Sequence, residues 1–419
     1  MNNSKFYYQY ISGKYKASEL VYKKVFKSES AEQFLIDYES MNVYPTYPRP
    51  IIMPLKKEND TAVLEKMDPT EAEMEKCTQS LNKKISEYQK YLKEMSKIES
   101  SEKIRRYFDY EIRDKMNQML NTNHITNGWI KMSEILATYP SLVNKSDPTI
   151  DTFHICEHPG KFVFAIKDYI KKNTKSKHHF VFQSLNTDLM PNGFKVDYKL
   201  KKDPDGILDY GKTQTGDITD ADNIRYYIDK YQKNNIELFT SDCGEDFGDD
   251  PAGQESGLYN VYLCALTIVI GIANKGANYV FKFFSFGESN TIELLYITTL
   301  FFEKVDIVRL MTTKGNSGEN YCVCQNFIPN EKLTVETLIN QKEKLFPEIF
   351  LKRIQKYHML LTLRRMTVLN NMIFRFINHH YIQNHKEIQD VIKQYVDFYV
   401  KYFINYIGYL TQKNKDLKK

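Results

Sequence analysis

Lys131, Asp242, Lys282 and Glu319 are the residues of this sequence whose setting suits acid–base chemistry. Lys282 stands inside the apolar run Tyr279-Val280-Phe281-Lys282-Phe283-Phe284. An ammonium buried there without a partner would be destabilising and would lose proton affinity below its ordinary ~10.4. Snorkelling at a sheet edge is the plainer explanation for that lysine taken alone. Asp242 follows Ile236–Ser241 at the carboxyl end of a predicted strand, where active-site carboxylates of parallel sheets often sit. Lys131 lies on a predicted helix spanning Trp129 to Leu136, and Glu319 precedes the predicted strand Tyr321-Cys322-Val323. Brought together, two ammoniums and two carboxylates form one compensated cluster in which a lysine can exchange a proton. A structural ion-pair network would use the same residues, so charge alone does not decide.

A second chemical signal is Cys156-Glu157-His158-Pro159-Gly160-Lys161-Phe162. A strand that breaks at Pro-Gly and turns into a helix brings backbone amides close to a ligand, and glycine permits the approach by having no side chain. Turns of this composition are also common without any ligand.

Three further patterns carry less. Gly206-Ile207-Leu208-Asp209-Tyr210-Gly211-Lys212-Thr213 has the spacing of a phosphate-binding P-loop, but it follows the polar Lys201–Asp205 and leads into Gln214-Thr215-Gly216-Asp217 rather than a helix. His154, Cys156 and His158 alternate along a strand and could present soft ligands, with Cys322 or Cys324 as a fourth, yet the spacing matches no common zinc module. The acidic run Asp242, Glu245, Asp246, Asp249 and Asp250 misses calcium-loop spacing. No metal site is expected.

The elements that must position these groups follow from periodicity. Residues 1 to about 60 are rich in Tyr, Lys and Pro, and Tyr44-Pro45-Thr46-Tyr47-Pro48-Arg49-Pro50 is non-helical, as each proline biases its predecessor toward extended geometry. Met74, Cys77, Leu81, Ile85, Tyr88, Leu92, Met95 and Ile98 mark one face of a long amphipathic helix, expected to pack on its own domain because the repeat is not a clean heptad. From about Ile112 to Phe327, strands (Phe153–Cys156, Phe180–Phe182, Ile236–Thr240, Tyr279–Phe284, Ile307–Leu310, Tyr321–Val323) alternate with helices (from Phe162, Ala221–Lys233, Gly257–Ala273, Thr291–Phe302). That alternation predicts an α/β fold with a mostly parallel sheet covered by helices on both faces. From Lys332 the chain reads as helical, with a basic stripe of Lys352, Arg353, Lys356, Arg364, Arg365 and Arg375 that is either a solvated face or an RNA- or partner-contacting one. The expected organisation is an N-terminal arm and helix (1–111), a central α/β domain (112–330) and a basic helical extension (331–419).

Composition bounds the rest. The 42% hydrophobic and 26% charged fractions across 419 residues exclude a wholly disordered or fibrous chain. A net charge of +5 is too small for histone-like binding, so any polyanion contact is local. Six scattered cysteines, Cys77, Cys156, Cys243, Cys264, Cys322 and Cys324, are expected to be reduced thiols. The N-terminus lacks a signal-peptide core, and the apolar run Leu258–Ala273, with Asn260 and Tyr262 in it, is read as a buried helix rather than a membrane span.

Lys131, Asp242, Lys282 and Glu319 also resemble, in order and setting, the Lys-Asp-Lys-Glu tetrad of FtsJ-like ribose 2′-O-methyltransferases, and Cys156-Glu157-His158-Pro159-Gly160 resembles their S-adenosylmethionine turn. The likeness covers roughly residues 112 to 327 and is nearest to the cap-related enzymes of large cytoplasmic DNA viruses, in which a lysine helix precedes a Cys-Glu-x-Pro-Gly turn. It implies a Rossmann-like methyltransferase sheet with helical terminal extensions, and S-adenosylmethionine as cofactor. Lys131, Asp242, Lys282 and Glu319 would be catalytic. Cys156, Glu157, Pro159, Gly160, Phe162, Asp217, Ile218 and Asp242 would bind the cofactor, Asp217 through the family's Gly-Asp segment seen here as Gly216-Asp217-Ile218-Thr219. Lys161 departs from the pattern where a second glycine is common, as does Cys243 at a usually small position.

The resemblance further implies an RNA substrate, the 5′ cap-proximal nucleotide of mRNA, with neutral Lys282 as base, and a viral protein acting in the host cytoplasm or virion without a membrane. Tyr7, Tyr8 and Tyr10 beside Lys5 and Lys14 are candidates for base stacking, and the terminal helices for a protein partner. The alternatives are a catalytically inactive methyltransferase fold that binds RNA or builds a complex, and a P-loop nucleotide hydrolase.

Overall fold

Short β-branched and aromatic runs separated by helical stretches do build the sheet. The computed structural model describes residues 50–56, 70–96, 112–121, 125–189, 195–244, 253–314, 317–330, 346–377 and 400–408, with residues 386, 390 and 397. Among them are the strands β1 (Ile51–Pro54), β2 (Thr149–Ile155), β3 (Lys177–Phe182), β4 (Gly206–Leu208), β5 (Ile236–Ser241), β6 (Asn278–Phe284), β7 (Phe302–Arg309) and β8 (Glu319–Phe327). They form one sheet in the order β1-β7-β8-β6-β5-β2-β3-β4. The helices are α1 (Glu71–Ser96), α2 (Ile112–Leu120), α3 (Asn127–Thr138), α4 (Lys161–Asn173), α5 (Tyr198–Lys201), α6 (Ala221–Tyr231), α7 (Gln254–Ile272), α8 (Ser289–Phe301) and α9 (Glu348–Ile377). The acidic residues 245–250, the tyrosines near the N-terminus and the segment from Lys332 to 345 lie outside the described residues.

From β4 through β6 the sheet is parallel, as expected; β6, β8, β7 and β1 pair antiparallel. The reason is chain length. A parallel return needs a crossover of a dozen or more residues, whereas only residues 310–318 separate β7 from β8. The chain leaves β2 toward β3 and β4, then crosses back to place β5 on the other side of β2. This reversal opens a crevice beyond the carboxyl ends of β2 and β5, where ligands bind in open α/β sheets.

Each face of the sheet carries its own core. On one face Phe153, Phe239, Tyr279 and Phe281 pack with α6, α7 and α8. On the other Ile150, Leu238, Val280, Tyr321 and Val323 pack with α2, α3 and α4 and with Val400, Phe403 and Ile404 of the C-terminal helical stretch. Helix α7 is long and apolar enough to cross a membrane by length and composition, but here Leu258, Tyr262, Leu266, Ile268, Val269 and Ile272 are buried within the first core.

The stripe on α1 has its partner in α9: Cys77, Leu81, Ile85 and Tyr88 pack with Met366 and Leu369. Part of the basic stripe is spent internally. The guanidinium of Arg353 donates to the carbonyl of Leu55 and Tyr357 Oη to that of Pro54 at 3.0 Å, fastening β1 to α9, while Lys352 pairs with Glu348 at 3.0 Å. The stretch around Pro50 and Pro54 that reads as an arm therefore supplies an edge strand, where missing N–H donors are tolerated.

Phe153 is fully buried, with the rings of Tyr231, Phe239 and Tyr227 at 5.2, 6.1 and 6.2 Å. Phe153→Ala should lower stability by about 3–5 kcal/mol, read as a fall in the urea midpoint at constant slope.

Candidate active site

Successive side chains of a strand leave the sheet on opposite faces, so parity places three of the four charged residues. Tyr279, Phe281 and Phe283 point into the α7 and α8 core and Val280 into the α3 and α4 core; Lys282 shares the parity of Val280. Glu319 shares that of Tyr321 and Val323, and Asp242 that of Leu238, all on the same side. Antiparallel register sets Lys282 opposite Tyr321 and Phe284 opposite Glu319. Over this face runs α3, begun by Thr126, whose side chain accepts from Trp129 N at 3.3 Å, and tied to α4 by Trp129 Nε1 donating to Asp168 at 2.9 Å. It delivers Lys131.

The four side chains meet as two linked pairs. Lys131 Nζ lies 2.6 Å from Glu319 Oε1 and 2.7 Å from Oε2. Lys282 Nζ lies 2.7 Å from Asp242 Oδ1 and donates to the Asp242 carbonyl at 3.1 Å. It also sits 5.7 Å from the ring centre of Phe284. Gly244 leaves room for it, since a Cβ there would stand 2.8 Å from Nζ.

Burial alone would raise the Glu319 carboxyl, but Lys131 and Lys282, with hydrogen bonds from Lys131 and Tyr321, hold it at about 2. Burial alone would lower the Lys282 ammonium; Asp242, Glu319 and Glu157 outweigh it and raise its proton affinity above the ordinary lysine value. The neighbouring carboxylates thus favour the charged form of Lys282. Three acids within reach matter more than desolvation.

The Cys156–Gly160 turn lies in the crevice between β2 and β5. Asp242 N donates to Ile155 O at 3.2 Å and Glu157 N to Gln183 O at 2.9 Å. Gly160 has φ +100°, a conformation that favours glycine, and a Cβ there would fall 1.9 Å from Leu200 Cδ1. Glu157 caps α4: Oε1 accepts from Phe162 N at 2.7 Å and Val163 N at 3.3 Å. Its Oε2 is buried with no hydrogen-bond partner, and burial, then Asp242, push this carboxyl well above its usual range despite the helix amides and Lys282.

Gln183 joins this turn to the Gly-Asp segment, accepting from Cys156 N at 3.2 Å and donating to Gly216 O. Asp217 is half-buried and accepts from Thr219 N at 2.8 Å and Oγ1 at 2.7 Å; Ile218 is buried. Pro159 is half-buried and accepts from Asp197 N at 3.2 Å. Phe162 is fully buried, 6.2 Å from the Tyr321 ring, so it meets the turn through its backbone rather than its side chain.

Both departures from the pattern acquire a structural account. Lys161 opens α4 and is drawn to Asp197 at 2.9 Å. Cys243 is paired with Cys156 as a disulfide, their Cα atoms 5.0 Å apart, correcting the expectation of six reduced thiols; Cys77, Cys264, Cys322 and Cys324 are free. Residues 87 apart in sequence meet because Ile155 and Ser241 are register partners on adjacent strands, and each cysteine lies just past them.

The three soft ligands do not converge. His154 is hydrogen-bonded to Thr152 and Thr240, each at 2.7 Å, and Cys156 to Cys243 leaves no thiolate there. Lys212 meets Asp222 at 3.4 Å in a loop that reaches its next helix only at Ala221, unlike a P-loop. Sequence reasoning missed Tyr321, whose hydroxyl donates to Glu319 Oε1 at 2.8 Å, although its two-residue offset from Glu319 on one strand was a usable signal. It also missed Gln183 and Arg309, whose Nη1 donates to Glu319 O at 2.6 Å; both act across distances that leave no local pattern.

Residues 125–327 match the family model of FtsJ-like methyltransferases. A cap-specific mRNA (nucleoside-2′-O-)-methyltransferase 2 of Drosophila melanogaster is 26% identical over 226 residues, 52% of this chain and 32% of that protein. A protein of African swine fever virus named as a methyltransferase is 28% identical over 243 residues, 53% of this chain and 54% of that one. An uncharacterised protein of Acanthamoeba polyphaga mimivirus is 26% identical over 309 residues, 71% and 39% respectively. The chain therefore spans about a third to a half of the length of these relatives. The segment from 125 to 327, which holds all four clustered charges and the Pro-Gly turn, is an FtsJ-like methyltransferase domain.

Proposed function

We propose that this chain transfers a methyl group from S-adenosylmethionine to a ribose 2′-hydroxyl of RNA, at the cap-proximal nucleotide of mRNA. The observation that carries the reading is the junction of the Lys131–Glu319 and Lys282–Asp242 pairs on one face of the sheet, next to the β2–β5 crevice. The 2′-O specificity named for the Drosophila relative supports it, and the viral relatives support action in a host cytoplasm. The arm at 1–111 and the extension at 331–419 are read as appendages to the methyltransferase domain, available to RNA or to a protein partner.

S-adenosylmethionine supplies, when bound, an electrophilic methyl group on a sulfonium. The residues present fit it: the partnerless, buried Oε2 of Glu157 is an acceptor facing a demand for a donor, and Gly160 keeps the turn free of side chain. Cys156, Pro159, Asp217, Ile218 and Asp242 complete the proposed binding set. Lys282, once neutral, would take the proton that the ribose hydroxyl loses when its oxygen accepts the methyl group. Asp242 orients that Nζ, and Glu319 holds Lys131 where its charge can meet the developing oxyanion. Alignment of oxygen and methyl carbon contributes the rest, and no covalent enzyme intermediate is required.

The test is transfer of labelled methyl to RNAs that differ only in the 5′ end and in the presence of the 2′-hydroxyl, with the product mapped to its atom. Label should appear on capped RNA and vanish when the first nucleotide is 2′-deoxy. Binding of S-adenosylmethionine without transfer to any RNA would instead indicate a non-catalytic fold. Lys282→Ala should reduce turnover at least about a hundredfold and leave the affinity for S-adenosylmethionine, measured by calorimetry, nearly unchanged.

The pH profile has a definite sign. Because its neighbours raise the proton affinity of Lys282, the reactive neutral amine is a minority that grows with pH. Turnover should climb about tenfold per unit from pH 7 to 9; a flat profile would mean that Lys282 acts by charge alone.

A further inference from the structure

Glu134 lies on α3 one turn beyond Lys131 and is fully buried, yet it belongs to neither of the ion pairs described above. Its carboxylate accepts three hydrogen bonds from the start of the β7–β8 connection. Oε1 takes Met311 N at 2.7 Å; Oε2 takes Thr312 N at 3.2 Å and Thr312 Oγ1 at 2.6 Å. The far part of the same connection is held by Arg309 at the end of β7, whose Nη2 donates to Lys314 O at 2.8 Å and whose Nη1 donates to Glu319 O at 2.6 Å.

These contacts close a circuit. Lys131 is joined to Glu134 by one turn of helix, Glu134 to Thr312, the connection to Arg309, and Arg309 to the backbone of Glu319, whose carboxylate returns to Lys131 through both oxygens. Helix and connection come from chain segments some 180 residues apart, as the sequence separation of 178 between Glu134 and Thr312 records. Nothing local fixes their spacing. Burying the carboxyl raises it to about 7 even though Thr312, Met311 and Lys131 all favour its charged form. An apolar residue would fill the position without that penalty.

We propose that Glu134 is a positioning residue for methyl transfer: by fastening α3 to the β7–β8 connection it sets Lys131 and Glu319 at the separation their pairing requires. The inference rests on the 2′-O-methylation reading, because it assigns Glu134 a role in that turnover.

The experiment is steady-state methyl transfer by the full chain to capped RNA, with melting temperature and S-adenosylmethionine binding measured on the same samples. Glu134→Gln keeps the size of the side chain but turns one acceptor into a donor that faces N–H and O–H groups. Thr312→Val removes the 2.6 Å bond from the other side. Glu134→Gln should lower kcat on the order of ten- to a hundredfold, with KM for both substrates and cofactor affinity within about twofold. Thr312→Val should lower kcat less, and the double variant should be no worse than Glu134→Gln alone, since both cut one link.

Wild-type kcat in Glu134→Gln overturns the inference, as does a loss that appears equally in kcat, cofactor binding and melting temperature. Should Glu134→Gln fail to fold, unchanged kcat in Thr312→Val overturns it. A wild-type chain that transfers no methyl group overturns the functional reading and this inference with it. Transfer by wild type together with normal Glu134→Gln overturns the inference alone.

Discussion

Each of the two ammonium groups that share one face of this sheet is met by a carboxylate, and the geometry around them serves that pairing. A lysine in the middle of an apolar strand is tolerable only if its charge is compensated or solvated. Lys282 achieves compensation through Asp242 at the tip of the neighbouring strand, and Lys131 through Glu319 at the root of β8. Replacing buried ion pairs with apolar side chains is often neutral or stabilising, so stability is a poor reason for two of them on one face of the sheet. A site that must move a proton and bear transient negative charge is a better one, because it needs charged groups held where water is scarce.

Strand pleat and register are what make the convergence possible. Lys282, Glu319 and Asp242 come from three strands that are neighbours in the sheet but distant in sequence, and the two-residue period sends all three to the α3 side. A one-residue slip between β6 and β8 would send Glu319 to the α7 core and leave Lys131 unmatched. A slip of β6 itself would drive the large aromatic residues of its opposite face, Tyr279, Phe281 and Phe283, into the site, so their burial resists it. The apolar half of β6 thereby fixes the polar half.

Much of this was legible before any coordinates. The alternation of strands and helices between Ile112 and Phe327, the break at Pro159-Gly160 and the odd lysine of β6 are local patterns, and local patterns survive in a linear sequence. The edge strand Ile51–Pro54 was hidden because two prolines in a tyrosine-rich arm say only that the backbone is extended, not that Arg309 to Asp306 lie beside it. The Cys156–Cys243 pair was hidden because strand adjacency, not spacing, brings the sulfurs together. Gln183, Arg309 and Glu134 were hidden for the same reason: each hydrogen-bonds a backbone group, and backbone groups leave no residue-type signature. The partner of α1 emerged only once α9 was seen to present Met366 and Leu369 to it.

The charge balance of the site also sets the proton affinity of Lys282. Lys131, Lys282, Asp242 and Glu319 sum to zero, and within that neutral set Lys282 keeps its proton because two acids face it. A positive charge brought beside the set would favour the ionised acids and disfavour both ammoniums, so the proton affinity of Lys282 would fall. Glu157 is subject to the same effect: burial and Asp242 push its carboxyl up, and a cationic donor beside its partnerless Oε2 would favour the ionised form. On this account the pairing that holds Lys282 in place also opposes its deprotonation, so use of that amine as a base has to be fed by rising pH or by a cation held beside it.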